Sequence, residues 1–294
     1  MIAQQTEALH KDAEGLDARP LSEIAGVLAD GQIAAAAVVR ASVPEISAAA
    51  SIMATTIRQG GVIHYVAAGS SGLMAAADAQ ELGGTFSIPA SQLGIHMAGG
   101  LPTGVEMPGA TEDDTKDLIN ALAGLADVDA VIAVSASGST PYTLEAAKTA
   151  KGSGASLISI ANNAGAPLFD GADVAICIPT PPEVLSGSTR MGAGTAQKIV
   201  LNMMSTLMAV ELGHVHDGMM VNVHADNIKL RKRAAGIVMR IAEVDEERAH
   251  AALDATNGEV KPAVLVARGA GVKAANTILE DTKGNLRAAL ARIT

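Results

Sequence analysis

Through the middle of the chain, short apolar runs alternate with stretches of helical period. Residues 61–68, 129–134, 156–161 and 173–179 have the length and β-branched content of buried strands, and a further run extends from 88 toward Gly99-Gly100. Between them, 73–82, 111–125, 141–151 and 192–212 read as helices. Strands alternating with helices predict an α/β, doubly wound parallel sheet of flavodoxin-like type. The first sixty residues read as three helices, 20–30, 32–40 and 42–59, the last stopped by Gly60-Gly61, and their expected role is a packing arm or dimer contact. From about residue 243, Leu253-Asp-Ala-Thr-Asn-Gly-Glu-Val-Lys261 is echoed by Leu279-Glu-Asp-Thr-Lys-Gly-Asn-Leu-Arg287 at an offset of 26. Two copies of a helix, a Gly break and a second helix predict a small helical subdomain. The expected divisions are an N-terminal helical arm (1–60), a ligand-binding α/β domain (61–242) and a C-terminal helical subdomain (243–294).

The polar interruptions carry the candidate chemistry. After the central strand come Ser135, Ser137, Ser139 and Thr140, and Pro141 then opens a helix at the position where its missing N–H costs least. Hydroxyls gathered at the positive end of a helix make an anion site, whereas capping alone needs one or two. Gly69-Ser70-Ser71-Gly72 repeats the pattern after the preceding strand, and a third polar turn from Pro181 to Arg190 holds Glu183, Ser188 and Thr189. The long helix at 192–212 is apolar almost all round, predicting burial, so its Gln197, Lys198 and Asn202 need partners. Glu81 stands near the end of its helix, where the dipole disfavours a carboxylate, and is a candidate acid or base. Thr111 and Asp114 suggest a capping box, so the acids there, Glu112 included, read first as structural.

Composition narrows the function classes. With 294 residues the chain can bury a full core, and its net charge of -10, two Phe, two Tyr and no Trp argue against nucleic acid and anionic membrane surfaces. The single cysteine, Cys177, forms no internal disulfide, which fits a reducing cytoplasm. The N-terminus is polar, and Ser, Gly, His or charge interrupts each apolar run, so no signal peptide or membrane span is expected. His214, His216, His224 and Asp226 form no tight ligand spacing, and no metal site is expected.

Together the motifs resemble a known family. Ser135-Ala-Ser-Gly-Ser-Thr140 with Gly69-Ser-Ser-Gly72 is similar to the phosphate site of sugar isomerase (SIS) domains. Three stretches resemble the N-acetylmuramic acid 6-phosphate etherases within that superfamily: Gly187 to Met203, Met220 to Leu230, and Asp78-Ala-Gln-Glu81 with Thr85-Phe86. The resemblance implies an SIS fold, a cytoplasmic homodimer with its site near the subunit interface, a small-molecule sugar phosphate as ligand, and no cofactor. It also implies a lyase reaction that removes a D-lactyl ether by elimination and then hydrates the unsaturated intermediate. Glu81 matches one family glutamate and Glu112 the second, with Glu106 as the alternative in a shortened loop. Candidate substrate-binding residues are Ser70, Ser71, Ser135, Ser137, Ser139, Thr140, Glu183, Ser188, Thr189 and Lys198. Leu73, Ser139 and Gly192 stand where the family usually carries basic residues, and Gly83-Gly84 replaces a Pro-Pro pair. A phosphosugar isomerase and a non-catalytic sugar-phosphate sensor are the competing readings.

Overall fold

The computed structural model describes residues 5–109, 111–223 and 228–293. The described chain falls into two compact units, one drawn from Met1–Ala79 and Ser91–Ser205, the other from Gln80–Ala90 and Thr206–Thr294.

Five parallel strands form the sheet of the first unit: β1 (Ile63–Ala67), β2 (Leu93–Met97), β3 (Ala130–Ser135), β4 (Ser156–Ala161) and β5 (Val174–Cys177). Their order is β2-β1-β3-β4-β5, with Ile63 opposite Ala130 and Ala130 opposite Ser156. β3 is buried along its whole length, as its unbroken apolar run requires in a sheet covered on both faces. The chain runs from β1 out to the β2 edge and returns through β3 beside β1. The connections leaving β1 and β3 therefore diverge and open a crevice beyond their carboxyl ends.

The helices of this unit are α1 (Leu21–Val38), α2 (Val43–Arg58), α3 (Gly69–Phe86, passing into the second unit after Ala79), α4 (Lys116–Ala121), α5 (Pro141–Ser153) and α6 (Gly192–Glu211, passing over after Ser205). α2 buries Ile46, Ala49, Ala50, Met53 and Ala54, one helical stripe that packs on the sheet. α5 buries Tyr142, Ala146, Ala147 and Ala150 in a cluster with Val131, Ala133 and Leu157.

Several elements depart from the expected pattern. The two expected helices at 20–30 and 32–40 are one helix, α1, which runs through Gly31, where a Cβ would lie 2.9 Å from Val184 Cγ2. By length and composition the helical run Leu21–Arg58 could cross a membrane, contrary to the expectation from interruptions, although the α2 stripe is spent on the sheet. α6 is not buried all round, since Lys198, Leu207 and Val210 are exposed. α4 is only six residues long, and the expected Thr111 capping box is replaced by Asp114 Oδ1 accepting the Lys116 N–H at 3.2 Å.

The second unit holds a hairpin that the apolar pattern did not announce, β6 (Val215–His216) with β7 (Met219–Met220). Asp217 and Gly218 both take positive φ, the geometry of a two-residue primed turn. Helices α7 (Ile228–Ala242), α8 (Glu246–Ala255), α9 (Val260–Ala267), α10 (Val272–Asp281) and α11 (Leu286–Leu290) pack around Val238, Leu253, Val264 and Leu286. The unit thus takes up Thr206 onward, whereas the sequence suggested a boundary at 243.

The internal repeat is a repeat of geometry as well as of letters. Asn257-Gly258 and Lys283-Gly284 are both left-handed pairs, and their glycine amides close back onto Leu253 O at 2.8 Å and Leu279 O at 2.7 Å. Thr256 and Thr282 hydroxyls bond the carbonyls four residues before them, Ala252 and Ile278.

Candidate active site

The crevice at the β1/β3 divergence holds a cavity of about 260 Å³. Ser70, Ser71, Ser135, Ser137, Thr140 and Thr189 line it with hydroxyls, and Glu7 and Glu112 bring carboxylates. No lysine or arginine among the described residues lines it. Helix α3 begins at Gly69, so Ser70 and Ser71 lie in its first turn, where backbone amides have no intrahelical acceptor. A phosphate bound here would meet those amides, the helix dipole and the serine hydroxyls.

The second loop is organised by its own side chains. Ser135 Oγ lies 2.9 Å from Thr140 Oγ1 and 3.2 Å from Ser137 Oγ, and it accepts the Gly138 N–H at 3.0 Å. Ser137 Oγ accepts from the Ser139 amide and from the Ser139 hydroxyl, both at 3.2 Å. Ser139 itself is not on the cavity wall, so its hydroxyl serves the loop. Beneath the loop, Asn162 donates its N–H to Ala136 O, and the fully buried Gln197 donates to Asn162 Oδ1 at 2.9 Å. Gln197 has thus found its partner in the scaffold. Replacing Ser137 with Ala removes a hydroxyl that can turn to a phosphate oxygen, with an expected loss of about 1–2 kcal/mol in sugar-phosphate affinity. Calorimetric titration checks this, and unchanged affinity would remove Ser137 from the site.

Glu112 reaches the cavity because its loop is held at two points. Gly99, at positive φ, lets Pro108 and Thr111 pack so closely that a Cβ there would collide with both. The Tyr142 N–H, in the first turn of α5, donates to the Glu112 carbonyl at 3.1 Å. The positive end of α5, read from the sequence as free for an anion, is therefore partly used to dock this loop. Glu112 Oε1 then lies over Gly69, 3.1 Å from where a Cβ would stand. Glu106 is exposed in the same loop and does not line the cavity, so the geometry favours Glu112 between the two. Glu81 is exposed on the part of α3 that belongs to the second unit.

Of the remaining candidates, Thr189 alone lines the cavity. Glu183, only 5% exposed, accepts the Gly192 and Ala193 N–H groups at 2.9 and 2.8 Å, so its carboxylate caps α6 instead of facing the cavity. A Cβ on Gly192 would lie 3.1 Å from both Glu183 Oε2 and Ala35 Cβ, a close approach to the cap. Ser188 turns its amide to Leu185 O and lies off the cavity wall, whereas Thr189 lines it. Lys198 is exposed and donates to Asn202 Oδ1 at 2.6 Å. Asn202 in turn donates to Asp78, a buried carboxylate that also accepts from Ser205 and Tyr65. Burial holds the Asp78 pKa above the usual carboxylate range, against the pull of those bonds. His224 and Asp226 lie outside the described residues. Among the described residues, no three His, Cys, Asp or Glu side chains gather as a metal-binding group.

Sequence reading missed Thr6, Glu7 and Asn163. Asn163 Oδ1 accepts the Gln5 N–H at 2.8 Å, and its Nδ2 donates to Thr6 Oγ1 and Ala136 O, both at 3.1 Å. The N-terminal arm is thereby fastened to the serine loop, and no local signal in either segment announces it.

Comparison with known proteins matches residues 106–212 to the SIS domain family. Over nearly their full lengths, N-acetylmuramic acid 6-phosphate etherases align with this chain. The Deinococcus radiodurans protein is 38% identical over 98% of this chain and 95% of its own, and the Streptomyces avermitilis protein 40% over 97% and 93%. The chain belongs to the N-acetylmuramic acid 6-phosphate etherase family. Among solved structures, a ligand-bound Escherichia coli CFT073 protein covers 67% of this chain and 94% of its own, with a TM-score of 0.51 and 20% identity, which shows a shared fold. With no lysine or arginine among the described residues on its wall, the serine cavity offers an anion only hydroxyls, amides and the α3 terminus.

Proposed function

We propose that this chain is a carbon–oxygen lyase that cleaves the D-lactyl ether of N-acetylmuramic acid 6-phosphate by elimination followed by hydration, without a cofactor. The observation that carries the reading is a carboxylate, Glu112, inside a hydroxyl-lined cavity of a chain 38–40% identical to etherases. In the open-chain sugar the C1 carbonyl acidifies the C2 proton. One glutamate removes it, and the other protonates the ether oxygen at C3 as the bond breaks. Glu112 is assigned one of these roles from its place on the cavity wall, and Glu81, which does not line that wall, is assigned the other from the motif alone. Water then adds across the double bond, placing a hydroxyl at C3 and a proton back at C2. The phosphate sits among Ser70, Ser71, Ser135, Ser137, Thr140 and Thr189, none of which takes part in proton transfer.

The isomerase alternative is disfavoured by Gln197: the long-helix position that would have to supply a carboxylate holds a buried amide already bonded to Asn162. We further assign the chain a homodimeric state in the cytoplasm. Support for the dimer comes from α1, which exposes Leu21 and Ile33 at 84% and 67%. The decisive experiment runs the reaction in water enriched in heavy oxygen and deuterium and weighs both products. Elimination predicts oxygen label at C3 of the sugar and deuterium at C2. Oxygen label in the released lactate would mean attack at the lactyl carbon and would overturn the mechanism.

A further inference from the structure

We infer that Glu7 is a specificity-determining residue of the serine cavity: it accepts hydrogen bonds from the hydroxyls of a bound sugar chain and so selects polyol phosphates over free phosphate. The inference rests on the phosphate reading of that cavity.

Glu7 belongs to the N-terminal arm, for which the sequence suggested only packing or dimerisation. Its neighbour Thr6 is buried to 2% exposure, with its hydroxyl oxygen accepting from Asn163 Nδ2. The same Asn163 amide bonds Ala136 O in the anion loop, so the arm and the loop share one fastening. Glu7 is therefore delivered to the cavity by a fixed anchor. Its Oε2 lies over Gly187, 3.6 Å from where a Cβ would stand, next to the turn that supplies Thr189.

The chemistry of this placement is restrictive. A carboxylate and a phosphate at neutral pH are both anions and repel each other, and they can share a hydrogen bond only through a P–OH that the phosphate retains. No cationic side chain among the described residues lines the cavity to relieve that repulsion. A ligand that gains from Glu7 must bring donors, and in a sugar phosphate those donors are the chain hydroxyls. Free phosphate brings the charge and its own P–OH but none of the carbon-borne hydroxyls. The carboxylate thus opposes the bare anion and rewards the polyol attached to it.

The test measures binding of two probes, inorganic phosphate and glucitol 6-phosphate, to wild type and to Glu7→Ala. Glucitol 6-phosphate carries the hydroxyls but no carbonyl, so it cannot react. The expected result is about a tenfold weaker affinity for glucitol 6-phosphate, from loss of a charged acceptor, with phosphate bound equally or more tightly. With the natural substrate class, KM should rise more than kcat falls. A purely structural role for the arm would move both probes in the same direction, and that result overturns the inference. So does an affinity ratio unchanged by the substitution. Wild-type protein that binds neither probe would overturn the phosphate reading itself, which separates the two failures.

Discussion

Glu112→Gln is expected to cut turnover by about 10²–10⁴-fold while leaving sugar-phosphate affinity close to that of wild type. The amide has the shape of the carboxyl group but neither takes nor gives a proton. The loop should stay in place, because its hold on α5 runs through the Glu112 carbonyl and the Tyr142 N–H. Glu106→Gln, exposed and off the cavity wall, is the matched control and should turn over like wild type. Deuterium exchange at C2 then separates the two chemical roles. A variant lacking the base loses exchange together with lactate release. A variant lacking the acid keeps exchange but releases no lactate. Full turnover in Glu112→Gln with collapse in Glu106→Gln would show that the other acid of the loop does the chemistry.

Gly138→Ala is expected to destroy the anion loop. Gly138 has φ of +69°, a conformation that costs an L-residue about 1–2 kcal/mol. A Cβ there would also overlap Ala166 Cβ and approach Ala161 Cβ to 3.0 Å. Both neighbours are alanines, whose Cβ atoms move only with the backbone, so overpacking adds about 1–3 kcal/mol. The backbone at Gly138 cannot swing aside, since its N–H is held by Ser135 Oγ and its carbonyl by the Leu168 N–H. Loss of phosphate binding and a fall in Tm of several degrees are the expected readouts, because each kcal/mol shifts Tm by about 2–4 °C for a chain of this kind. Gly104→Ala, with open space around it, should leave both near wild type. Retained phosphate affinity in Gly138→Ala would show that the loop geometry is not needed for the anion.

The strands and the serine turns were legible because they obey local rules. An unbroken apolar run such as that of β3 has few homes other than the centre of a covered parallel sheet, and hydroxyls crowding a helix start point to an anion. What stayed hidden depends on partners far along the chain. Asn163 reads as an ordinary turn residue until the fold brings Gln5 and Thr6 to it. Glu183 reads as a substrate ligand until the α6 amides are seen to use both of its oxygens. Ser139 reads like its hydroxyl neighbours, yet it is not on the cavity wall and donates its hydroxyl to Ser137.

The tail bears on how such a chain can change in length. Each of its two units ends a helix with the same threonine bond, the same left-handed pair and the same glycine closure, at an offset of 26 residues. The helix stops are thus written in phase with the unit. A shift out of that phase puts a non-glycine where the left-handed turn falls and rotates the apolar stripe away from its neighbours. A glycine at the same step of each copy is therefore what the register of the tail depends on.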